Sequence, residues 1–279
     1  MRTIARRLVT AAAATAIAVP AVLAAAAPAQ AASLCETDCI ASATATASTK
    51  SISVAVKTTG YVSVSAEIWN TAKTNRVGYG IVKAGTPVWF NAFSFTSSTN
   101  GALAQGATYH VKVIAKDMLG KSRTEWVPVR VKQRDVRYFI TRIDLHDDSD
   151  YAGAGEFRAG WKAGTTAKNL WNGVSSKSSG GFWNWTEANP LAQISRTKET
   201  ASPKVFVELS DDDSWGMNYC GTAFVADFTS GSNDCADWST AGAYVNLPET
   251  TATVPFTLKV AKNAVVKFTV TGKAVQVVF

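Results

Sequence analysis

The chain has 279 residues, with 28 Lys and Arg against 21 Asp and Glu, two His and four Cys. Charge is uneven along it: residues 1–31 carry +3, residues 32–135 carry +6 and residues 136–279 carry −2. The basic residues stand singly, as in Lys112, Lys116 and Lys121, which reads as solvated surface and argues against a nucleic-acid partner.

Arg2, Arg6 and Arg7 precede an apolar, Ala-rich run from Leu8 to about Ala27, and Ala29-Gln30-Ala31 follows. A positive start, an apolar middle and a small-x-small end form a secretory signal peptide, so residues 1–31 are expected to be removed on export. Arg6-Arg7 also suits a twin-arginine exporter, although Leu8-Val9-Thr10 fits that signal poorly. No later stretch is long and apolar enough to span a bilayer. The expected product is a secreted chain of a length that suits two domains.

Four cysteines in an exported chain favour disulfides over metal ligation, since a zinc site would want His partners and only His110 and His146 exist. Four allow three connectivities; local closure pairs Cys35 with Cys39 and Cys220 with Cys235. The first loop is short, and its expected job is to tie down the N-terminus. The Ala/Thr/Ser tract from Ala41 to Thr49 is either a first strand or a linker.

Alternating strands then recur between turn residues: Ser51–Val56, Tyr61–Trp69, Pro87–Phe90, Tyr109–Ala115 and Val127–Val131. That rhythm, without a helical apolar period, argues an antiparallel β-sandwich over residues 35–133. Within it, Leu103-Ala104-Gln105-Gly106-Ala107-Thr108-Tyr109 leads into a strand, and Asp117-Met118-Leu119-Gly120 closes it. A Tyr at such a strand start returns its hydroxyl to upstream backbone and fixes the corner between sheets. The segment resembles a fibronectin type III domain, with Gln105 where that family usually has proline and Ala107 where it has threonine. The resemblance implies a spacer or binding platform. His110, with no carboxylate or nucleophile beside it in sequence, reads as an ordinary strand residue.

Residues 136–279 read as a second antiparallel sandwich, making the chain all-β. Its strands are Val136–Leu145, Lys204–Leu209 and Thr253–Val260, with a closing hairpin of Ala264–Val270 and Ala274–Phe279 about a turn at Thr271-Gly272-Lys273. Lys168 to Asn189 reads as a long loop. Acid gathers where two strands end: Asp147, Asp148 and Asp150 with Glu156 nearby, and Asp211, Asp212 and Asp213. Crowded carboxylates at pH 7 need solvent, protons or a cation. Calcium accepts six to eight oxygen ligands in tolerant geometry, so these seven residues are the expected metal ligands, Asp144 less surely, with calcium the expected cofactor. Gly153 and Gly155 are expected to turn the first loop back so that Glu156 joins the cluster. The layout is similar to calcium-dependent C-two domains, in which paired aspartate loops hold the ion. No cationic cluster flanks the loops, so lipid binding does not follow.

Tryptophan concentrates here as Trp161, Trp171, Trp183, Trp185, Trp215 and Trp238. Trp183, Trp185 and Trp215 are the candidates for stacking on a sugar ring or partner; the alternative is that they anchor long loops onto the sandwich. A glycoside hydrolase would need two carboxylates across a cleft, with Glu208 or Glu156 as acid and an Asp as base or nucleophile. No Gly-x-Ser-x-Gly elbow or His-Glu-x-x-His helix occurs. The expectation is a secreted, non-catalytic protein that recognises a glycan, an envelope component or a protein. Such a hydrolase, or a purely structural or inhibitory protein, is the alternative.

Overall fold

The computed structural model describes residues 35, 38–60, 62–82, 90–148, 154–211 and 238–279. Among the described residues ten strands form the first half: β1 (Ile40–Ala47), β2 (Ile52–Thr58), β3 (Ser63–Trp69), β4 (Arg76–Tyr79), β5 (Ile81–Val82), β6 (Phe90–Phe95), β7 (Ser97–Ser98), β8 (Gly101–Ala102), β9 (Thr108–Lys116) and β10 (Ser122–Arg130). One sheet runs β1-β2-β6-β5 and the other β10-β9-β3-β4, with β7 and β8 as a small ribbon. Alternate residues point inwards, so Val54, Val56, Ile68, Phe93, Phe95, Val111 and Val113 make one core. In chain order this is the immunoglobulin-type arrangement, four strands facing three plus an added edge strand. Tyr109 Oη accepts the Ala104 N–H at 3.1 Å, so the corner expected from the sequence is present.

The tract from Ala41 to Thr49 is mostly strand, since Ser42 to Ala47 pair with β2. Cys35 and Cys39 are bonded to each other. The Cys35 N–H donates to Asp117 Oδ2 (3.2 Å), and Asp117 Oδ1 accepts the N–H groups of Leu119 and Lys121. The chain start is thereby fastened to the Asp-x-x-Gly turn.

The second half has β11 (Arg134–Asp147), β12 (Gly155–Ala163), β13 (Thr166–Asn169), β14 (Ser175–Lys177), β15 (Phe182–Asn184), β16 (Gln193–Arg196), β17 (Lys204–Asp211), β18 (Trp238–Tyr244), β19 (Ala252–Lys259) and β20 (Lys267–Val278). One sheet runs β15-β11-β20-β19 with β16 also on β11; the other runs β13-β12-β17-β18 with β14 also on β12. Trp161, Tyr138, Phe157, Phe268, Val207 and Leu209 fill a separate core. The stretch read as one loop, Lys168 to Asn189, contains β14 and β15.

Thr271-Gly272-Lys273 is not a turn. β20 runs straight through it, and the hairpin partner of β20 is β19. Gly272 is there for space: a Cβ would collide with the Phe256 ring and the Phe139 carbonyl. Close packing, rather than a bend, explains the residue.

Hydrogen-bonded residues join the two halves. Glu249 Oε2 accepts the N–H (3.1 Å) and the hydroxyl (2.8 Å) of Thr49, and Glu249 Oε1 accepts from Arg134 Nη2 (3.1 Å). Gln105 accepts the Arg134 N–H and donates to the Glu199 carbonyl. Gln133 and Phe279 exchange backbone hydrogen bonds. Burial pushes the Glu249 carboxyl up, but the Thr49 donors and the Arg134 guanidinium outweigh it and hold it below the usual carboxylate range. Behind this seam, burial and the neighbouring Glu199 push the Tyr138 phenol far up, so it stays protonated and donates to Glu199 at 3.4 Å.

Candidate functional site: an acidic rim on the second sandwich

Strand β11 leaves its sheet at Asp147 and Asp148. Asp148 is buried, and its carboxylate accepts the N–H of Ser179 (2.8 Å) and the Ser179 hydroxyl (2.7 Å). The Asp148 N–H donates back to Ser179 Oγ at 3.1 Å. The turn carrying Ser179 is itself zipped to β11, since Gly180 N–H donates to the Leu145 carbonyl and Leu145 N–H to the Gly181 carbonyl, each at 2.9 Å. Asp147 is half-buried and pairs with Lys267 Nζ at 2.5 Å.

That turn follows β14, and Lys177 of β14 stands opposite Gly155, the first residue of β12. The next residue, Glu156, is exposed, while its N–H donates to Asp211 Oδ1 at 2.8 Å. Asp211 continues the inward row Val205, Val207, Leu209 and is 1% exposed. Gly155 does not bend the chain back as expected; it lies within β12. A Cβ there would come within 2.6 Å of the Phe157 ring and 2.9 Å of Asp211 Oδ2, so its missing side chain makes room for both.

Asp147, Asp148, Glu156 and Asp211 therefore share one rim of the second sandwich, linked from Asp148 through Ser179 and the β14–β12 pairing to Asp211. Asp150, Asp212, Asp213, Trp215, Cys220 and Cys235 lie outside the described residues. Among the described residues no three His, Cys, Asp or Glu side chains converge closely enough to hold a metal ion.

The tryptophans divide. Trp183 is a core residue at 9% exposure, with its Nε1–H on Ser175 Oγ (2.9 Å) and its ring edge-on to Phe157 at 5.7 Å. Its expected role as a binding surface is corrected accordingly. Residues 182–184 form β15, in which neighbours alternate, so Trp183 turns in while Phe182 and Asn184 turn out. Trp171 stacks on Trp183 at 5.1 Å and on Trp185 at 5.9 Å, and donates to the Phe157 carbonyl. Trp185 stays half-buried. Phe182 beside them is exposed, with the Arg142 guanidinium 4.1 Å from its centroid. Arg142 pairs with Asp144 at 2.5 Å, and that hydrogen bond holds the guanidinium above its ordinary value.

The hydrolase expectation takes Glu208 or Glu156 as acid, with an Asp as base or nucleophile. Glu208 stands opposite Gly160 on β12, four residues along from Glu156. Arg158 occupies the same outward row between them. A cavity of about 420 Å³ lies towards the opposite end of β11, lined by Asp135, Arg137, Arg196 and Val275 among others. Its Arg196 is already held by Glu199, Thr165 and Thr166.

No family model matches the sequence, and no curated protein does. Among solved structures, the crystal structure of Dpr2 Ig1-Ig2 in complex with DIP-Theta Ig1-Ig3 matches 84% of this chain and 89% of that chain, at 6% identity and a TM-score of 0.20. At that score the match carries no functional argument. No helix among the described residues is long and apolar enough to cross a membrane.

Proposed function

We propose that this chain is an extracellular binding protein, without chemistry of its own, whose second sandwich holds calcium at the acidic rim and there recognises a glycan, an envelope component or a protein. One observation carries the reading: the two acidic strand ends leave the sandwich side by side, with Glu156 N–H on Asp211 and Asp148 tied through Ser179 to the same edge. Carboxylates gathered at one rim repel each other, and a divalent ion relieves that repulsion. Asp147, Asp148, Asp150, Glu156, Asp211, Asp212 and Asp213 are the ligand set. The ion competes with Lys267 for Asp147 and with Ser179 for Asp148, which suits an affinity on the order of 0.1–1 mM, as in extracellular modules.

Calorimetric titration with calcium chloride tests the ligand set. The triple variant Asp147→Asn, Asp150→Asn, Asp212→Asn should bind at least tenfold more weakly than the parent. Equal affinity would contradict the assignment. Glycan binding measured with calcium and with EDTA then tests whether the ion supports recognition.

A further inference from the structure

We propose that the solvent face of the β10-β9-β3-β4 sheet is a docking surface for an acidic polysaccharide. This rests on the reading of the chain as a binding protein but not on calcium.

Strand alternation places Glu67 and Trp69 of β3, Lys112 of β9 and Trp126 of β10 on that face, and a bulge in β4 sets both Tyr79, opposite Glu67, and Arg76, opposite Trp69, beside them. Their neighbours Ile68, Val111 and Val113 turn into the core. The outward rows of β1 and β2 in the other sheet are different: Ser42, Thr44 and Thr46 with Ser53, Ala55 and Lys57 carry no aromatic ring.

The rings order the cations. Trp69 and Trp126 meet edge to face at 5.6 Å. Lys112 Nζ lies 5.4 Å from the Trp69 centroid and 5.7 Å from that of Trp126, and Lys73 Nζ lies 5.2 Å from Trp126. Arg76 stacks on Tyr79 at 3.9 Å. Glu67 is held by Arg76 (3.2 Å) and by Trp69 Nε1–H (3.0 Å). Among the described residues no carboxylate pairs with Lys73 or Lys112. The first half of the chain also carries the whole positive excess, +6 over residues 32–135.

A row of fixed ammonium and guanidinium groups complements a partner with repeated carboxylates. The indole and phenol edges beside them offer apolar area to sugar rings. A single-stranded nucleic acid needs free aromatic faces for its bases. Here Lys112 and Lys73 lie over the indoles, so the array favours a polymer bound through its charges. Steering by such a face falls with ionic strength.

The test is affinity electrophoresis and titration of the full chain with polygalacturonate, with its methyl ester as the uncharged control. The parent should bind polygalacturonate at low salt and the ester at least tenfold more weakly. The variant Lys73→Gln, Lys112→Gln, which keeps the core intact, should lose at least tenfold affinity at an unchanged melting temperature. EDTA and the acidic-rim variant should leave this affinity unchanged, so failure of the calcium reading is separable. The proposal is overturned by no binding, by equal affinity for the ester, or by an unaffected double variant. Loss with EDTA, or tighter binding of single-stranded DNA or an acidic peptide, overturns it equally.

Discussion

Glu249 and Thr49, 200 residues apart in sequence, share one carboxylate oxygen with two donors. The same carboxylate reaches the buried Arg134 guanidinium, so a single side chain ties a turn of the first sandwich to the first strand of the second. Removing it leaves Arg134 with the Pro248 carbonyl. Hydrogen bonds to charged groups contribute about 1.5–3 kcal/mol each. The carboxylate is 35% exposed, so solvent screens much of this, and Glu249→Ala should lower stability by about 1–3 kcal/mol in total and split a shared calorimetric transition into two.

Acid should act at the same place. The Glu249 carboxyl is held below its ordinary value when folded. Its contribution is complete above the unfolded value, about pH 4.3, and is lost as pH falls through the lower folded value. Melting temperature followed from pH 6 to 3 should fall in that window, and less steeply in Glu249→Gln.

Trp183 and Trp185 are two residues apart, yet the first closes a core and the second stacks on Trp171 while staying half-buried. Trp183→Ala should cost about 3–5 kcal/mol, as for other large core truncations. Trp185→Ala should cost much less, because its ring is half-exposed. Urea unfolding of the two variants measures the difference.

The Cys35–Cys39 loop is short. Chain-entropy reasoning gives about 2 kcal/mol for closing five residues. Cys39→Ser should lower the stability of the first sandwich by about that amount and free the N-terminus from Asp117. Faster amide exchange at Cys35 and Leu119 would report the loosening.

Strand content was legible because alternation is local, and Tyr109 with its Leu-x-x-Gly lead carried enough pattern to place a corner. Gly272 was misread because a glycine between two β runs looks the same whether it bends the chain or admits a ring from a neighbouring strand. Phe256, which decides the matter, is 16 residues away. β15 was hidden because three residues are too few to show a period, so Trp183 looked like part of a polar loop. The Glu249–Thr49 contact had no sequence signal, since nothing local marks an acid that pairs across two sandwiches. The acidic strand ends were visible as composition; their common rim depends on the register of β12 with β14 and β17.

Melting temperature in calcium against EDTA tests the central claim most directly. A ligand that binds only the folded chain stabilises by mass action: 10 mM calcium with a dissociation constant of about 1 mM contributes about 1.4 kcal/mol, or roughly 3–6 °C for a domain of this size. Calcium should raise the temperature at which the second sandwich unfolds by at least about 3 °C, and the Asp147→Asn, Asp150→Asn, Asp212→Asn variant should show no such rise. An identical melting temperature with calcium and with EDTA would contradict it.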